Sequence, residues 1–190
     1  MDLRGHQFVF GYGSLATLPE GVAASRTRGP GGFVCDLRAH RRQWGVAMDN
    51  RRDLPGYKHY TDAAGRRPPV FVCFLDIVAD PACTVNGLCV PVDAARLAAL
   101  DARERNYERL DVSELVDADG ARVWAYMGRP PARLRMRRAA AAGRAVIDAG
   151  YLDAVAGGFR ALGGGEYEAC APSLAPGAIP VVSLTRHDHA

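Results

Sequence analysis

Strand-like and helix-like periods are segregated along this sequence, and that segregation limits the folds open to it. Residues 7–12 form an aromatic and β-branched run that ends in Gly11-Tyr12-Gly13-Ser14-Leu15, the pattern of a buried strand running into a glycine loop. Further strands are expected at 33–37, 43–48, 69–77, 84–90, 110–116 and 122–127. One helix interrupts them at 93–103, where Ala94, Leu97, Ala98 and Leu100 fall near helical spacing behind Asp93, a good N-cap. Asp117-Ala118-Asp119-Gly120 separates the last two strands as a turn and predicts a hairpin. Residues 134–149 and 151–162 are helical in character, the second segment stopping at the glycines 163–165. Strands first and helices last favour an α+β fold over a doubly wound parallel sheet.

The length of 190 residues suits one compact unit, expected at 1–170, with a C-terminal tail at 171–190 carrying Pro172, Pro176 and Pro180. Residues 49–69 are polar, with Gly56, Gly65, Pro68 and Pro69, and read as an irregular excursion of the length often used for a lid. A hydrophobic fraction of 48% with 24% charged residues fits a folded chain rather than a disordered one. Its longest apolar stretch, 70–78, is interrupted by Asp76 and falls short of the roughly 20 residues of a membrane span. The opening residues lack the pattern of a secretory signal, and the 5 cysteines show no C-x-x-C pair, so a reduced cytoplasmic setting is expected. No His/Cys spacing suits zinc, which predicts no metal; His187 and His189 in the tail are the one exception to weigh. Lys58 is the single lysine among 24 basic residues, but a net charge of +3 creates no strong field. The run Arg133, Arg135, Arg137 and Arg138 lacks interleaved aromatics and reads as a solvated helix face, so no nucleic-acid partner is expected.

Two segments carry a chemical argument. In the loop at residues 11–15, glycines on either side of Tyr12 allow either a tight bend or a close backbone approach to a carboxylate or oxyanion. At residues 100–109, Asp101, Glu104 and Glu108 are interleaved with Arg103, Arg105 and Arg109. That pattern reads either as a solvated helix end with i,i+4 charge pairs or, if a cleft adjoins it, as the position of a general base.

Together these segments resemble the γ-glutamylcyclotransferase-like superfamily, which includes AIG2-like and ChaC-type proteins. The run FVFGYGSL is similar to its Tyr-Gly-Ser-Asn/Leu signature, and Leu100-Asp101-x-x-Glu104 followed by Tyr107-x-Arg109 is similar to its second motif. The resemblance extends over most of residues 7–165. It implies a small mixed β-barrel flanked by helices, acting on a small-molecule γ-glutamyl substrate by cyclising it to 5-oxoproline without a cofactor. By motif match Glu104 would be the general acid/base, and Tyr12, Gly13, Ser14 and Leu15 would hold the γ-glutamyl group. Tyr107, in the second motif, joins the substrate-binding set, and Tyr126, alternating with Trp124 on its strand, is added as a candidate pocket hydroxyl. Arg103, Arg105 and Arg109 flank Glu104 and would either tune it or meet an anionic substrate. The alternative from another class is a non-catalytic domain of the same fold that binds a small ligand or a protein.

Overall fold

The computed structural model describes residues 2–16, 25–52 and 57–188. Its centre is β1 (Gln7–Gly11), whose apolar run is buried on both faces. Such a strand needs neighbours on both sides. It pairs antiparallel with β4 (Phe71–Pro91) and parallel with β6 (Arg122–Gly128). β4 also pairs antiparallel with β2 (Phe33–Asp49), and both strands are long enough to serve two halves of the sheet. Two register shifts, at Arg38/His40 and Trp44/Val46, let β2 coil along its partner, and Ala39 takes φ 56 at the first.

The sequence pattern splits β2 into two strands because Arg38, Arg41 and Arg42 break its apolar alternation; the structure carries one strand through them. In the same way the expected strands at 69–77 and 84–90 are the two ends of β4. Beyond β6, β5 (Tyr107–Asp111) forms the edge, antiparallel to β6. The expected strand at 110–116 thus begins earlier and gives way to a 3-10 turn at Ser113–Leu115. Just past that turn, Val116 bridges Leu37 of β2, so the two sides of the sheet meet. The result is α+β: a curved, mixed sheet flanked by helices.

Those helices are α1 (Ala94–Arg103), α2 (Pro130–Ala141), α3 (Ala149–Leu162) and α4 (Glu166–Leu174). α1 starts where Asp93 accepts a 2.7 Å hydrogen bond from the Arg96 N–H, and buries Leu97 and Leu100 against Val9 and Tyr126. The main core joins Phe8, Phe10, Phe33, Leu88 and Val123 of the sheet to Phe159 and Leu162 of α3.

Two differences from the sequence expectation bear on the site. The expected helix at 134–149 ends at α2, where Gly143 takes φ 62; β7 (Ala145–Asp148) then pairs parallel with β4. Residues past 171 are also more than surface tail. After α4, β8 (Val181–Val182) pairs parallel with β7, and β9 (Thr185–Asp188) pairs antiparallel with β3 (Lys58–Thr61) from the 49–69 excursion. His189 lies outside the described residues.

Candidate active site

The glycine loop owes its shape to close packing. A Cβ on Gly11 would sit 2.5 Å from the carbonyl carbon and oxygen of Leu15, so a side chain there would block the turn. The Ala16 N–H donates to the Gly13 carbonyl at 2.9 Å and closes the turn. Within it, Tyr12 points inward, and its buried hydroxyl donates to the Tyr126 backbone carbonyl. Leu15 packs with the α1 cluster. Gly13 runs beneath Tyr151: a Cβ there would approach the phenol oxygen to 3.2 Å. Ser14 is the loop residue that faces outward, within hydrogen-bonding range of Tyr151.

Ser14 opens onto a cleft of about 240 Å³, lined also by Glu104, Tyr107, Tyr151, Lys58, Arg186 and Phe74. α1 delivers Glu104 as its C-cap: the Glu104 N–H bonds the Leu100 carbonyl at 2.8 Å, and its own carbonyl accepts the Tyr107 N–H at 2.9 Å. The helix ends with the glutamate in the cleft lining. Its side chain is 20% exposed, and Oε1 accepts from Arg103 Nε at 2.9 Å and Nη2 at 2.7 Å.

Of the three flanking arginines, Arg103 alone bonds Glu104. Arg109 pairs with Asp101 at 3.2 Å and lies over Trp124, and Arg105 stacks on the Tyr57 ring. Asp101 is thereby occupied, and it also accepts the Tyr126 hydroxyl at 2.7 Å. That bond corrects the expectation for Tyr126. Its hydroxyl is bonded to Asp101 of α1 and does not line the cleft, because Val9, Leu97 and Leu100 pack around its ring. Glu108 is exposed on β5.

Tyr107 does line the cleft, as a wall: its hydroxyl donates to the Leu75 carbonyl at 2.7 Å. Tyr151 is set by the β7–α3 junction, where Asp148 caps the helix by accepting the Tyr151 N–H at 3.0 Å. The other Asp148 oxygen accepts the Leu184 N–H at 3.1 Å, which fixes the segment leading into β9. The Tyr151 ring meets Phe74 and Trp44 edge-on, at 5.1 and 6.0 Å between centroids. Tyr57 donates no proton to Glu104; its hydroxyl accepts from Asn106 Nδ2 at 2.9 Å.

Burial pushes the Tyr57 phenol up to about 12, with the Glu104 charge adding to it, and raises Tyr107 and Tyr151 in the same direction. At neutral pH these phenols remain protonated and offer hydrogen bonds rather than bases.

Sequence reasoning placed Ser14, Glu104 and Tyr107 in this site and missed Tyr57, Lys58, Phe74, Tyr151, Arg186 and Asp188. Two signals were present in the sequence: an Asp three residues before Tyr151 at a helix start, and the single lysine inside Tyr57-Lys58-His59-Tyr60. No group of three or more His, Cys, Asp or Glu among the described residues could hold a metal ion. No helix among them is long and apolar enough to cross a membrane.

A curved α+β sheet with a charged, aromatic-walled cleft beside its glycine loop is what the chain presents to comparison. No protein-family model and no curated protein matches it. Among solved structures it is similar to one titled γ-glutamyl cyclotransferase, at 16% identity and a TM-score of 0.44, over 83% of this chain and 80% of that one. A human (Homo sapiens) protein described as uncharacterized aligns at 17% identity and a TM-score of 0.48, over 96% and 92% of the two chains. An Arabidopsis thaliana solution structure aligns at 21% identity and a TM-score of 0.39, over 69% and 76%.

Proposed function

We propose that this chain cyclises a γ-glutamyl compound to 5-oxoproline and releases an amine or amino acid. One observation carries the reading: the Glu104 carboxylate and Ser14 of the glycine loop open onto the same cleft, although they come from sequence-distant motifs. The resemblance of those two motifs to the γ-glutamylcyclotransferase-like superfamily names the reaction class.

In this reaction the substrate's α-amine attacks its own γ-carbonyl carbon. The new C–N bond closes a five-membered ring, and the bond to the departing nitrogen breaks. Glu104 takes a proton from the attacking amine and returns it to the leaving nitrogen, so atoms balance with no water consumed. Such proton transfer contributes about 10²–10⁴-fold in rate. The bond from Arg103 holds the carboxylate in place while leaving Oε2 for the substrate. Phe74, Tyr107 and Tyr151 form walls that favour a folded substrate, which brings amine and carbonyl into attack geometry. Backbone N–H groups at residues 13–15 are the candidate donors to the developing oxyanion.

The test is direct. Purified protein is incubated with glutathione, γ-glutamyl dipeptides and γ-glutamylamines, and 5-oxoproline is measured. Release from at least one substrate supports the reading, and no product from any of them overturns it.

A further inference from the structure

Lys58 stands apart from the other charges of the cleft. Arg103 is bonded to Glu104, and Arg186 to Asp188 at 2.6 and 3.0 Å. Among the described residues no carboxylate lies within ion-pair distance of the Lys58 ammonium. It rests 4.2 Å from the centroid of Phe74 and 5.8 Å from that of Tyr57. Three cations thus face two carboxylates, and the surplus positive charge sits on Lys58 in the cleft lining.

Its position is built rather than incidental. Lys58 lies opposite Asp188 and Tyr60 opposite Arg186 in the β3–β9 ladder, so alternation turns all four toward the same face. Tyr60 is fully buried on that face and anchors the ribbon. Placing a partly desolvated ammonium on aromatic rings without a carboxylate costs stability, and such a cost is typical of a group kept for a ligand.

We propose that Lys58 is the specificity residue of the cleft and binds a carboxylate on the departing part of the substrate, with Arg186 beside it. The inference rests on the cyclisation reading. In the bound ground state the α-ammonium and α-carboxylate of a γ-glutamyl group cancel, so the unmatched cation calls for one negative charge elsewhere in the molecule. β3 and β9, joined as one ribbon, then select the leaving group, while the glycine loop and Glu104 serve the reacting end.

γ-Glutamylalanine and γ-glutamylethylamine differ only by that carboxylate. The full chain and its Lys58→Met and Lys58→Arg variants are assayed on both for 5-oxoproline release. A charge-assisted contact predicts that the wild type favours γ-glutamylalanine by about 10- to 100-fold in kcat/KM. Lys58→Met brings that ratio to within about threefold of unity through KM, and Lys58→Arg restores part of it. A preference that survives in Lys58→Met, or an equal loss on both substrates, overturns the proposal. If the wild type releases no 5-oxoproline from either compound, nor from the wider set of γ-glutamyl substrates, the cyclisation reading fails by itself. Calorimetric binding of the same two compounds then decides the role of Lys58: carboxylate-dependent affinity lost in Lys58→Met upholds it, and equal affinities reject it.

Discussion

Asp76 interrupts the most apolar strand of the chain, and replacing it with alanine should cost more stability than any other single carboxylate removal. Its side chain has no solvent exposure. Oδ1 accepts the Gly128 N–H at 2.7 Å, and Oδ2 accepts Arg133 Nε at 2.7 Å; Arg133 Nη2 reaches Oδ1 at 3.2 Å and the Ile77 carbonyl at 3.0 Å. This pair pins α2 to β4 and β6 directly behind Leu75, whose carbonyl holds Tyr107. Removing one member of a buried pair costs about 3–5 kcal/mol because the partner is left uncompensated. Arg133 keeps 29% of its side chain exposed and can be hydrated in part, which places the expectation near the lower end, at about 3 kcal/mol. Asp76→Asn retains an acceptor for Gly128 and should cost less, about 1.5–3 kcal/mol. Urea denaturation should show the midpoint falling with an unchanged slope. A loss below about 1 kcal/mol in Asp76→Ala would refute the view that this pair holds the sheet behind the cleft.

Two further outcomes follow from the same geometry. Burial and the Arg186 charge push Lys58 down from the ordinary 10.5 to about 8, so between those values the unfolded chain binds the extra proton and stability rises with pH. Wild-type stability should therefore gain on that of Lys58→Met between pH 8 and 10.5, as read by denaturation at each pH; parallel profiles would contradict it. Asp93→Ala removes the cap of α1 and should cost about 1 kcal/mol, with faster amide exchange in the first turn of the helix that carries Glu104.

How far the sequence revealed this molecule depended on whether the deciding contacts were local. α1 and its Asp93 cap were legible because helical spacing and capping act within one or two turns. β1 and its glycine loop were legible because an aromatic run meeting glycines admits few conformations. β7 was not, since Ala145-Val146-Ile147 continues an alanine-rich stretch and only its pairing with β4 on one side and β8 on the other makes it a strand. The β3–β9 ribbon was hidden for the same reason: four-residue strands carry little pattern, and Lys58 finds Asp188 from the far end of the chain. Glu104 and Ser14 could be named because each stood in a recognisable motif, whereas Tyr126 was misplaced because alternation along β6 does not say which face adjoins the cleft.

The central claim is that Glu104 moves the proton. Glu104→Gln keeps the side chain's size and can still accept the bond from Arg103, but it cannot take a proton from the attacking amine. On the best γ-glutamyl substrate, the rate of 5-oxoproline release should fall about 10²–10⁴-fold with little change in KM. A Glu104→Gln variant that turns over at the wild-type rate would contradict the account.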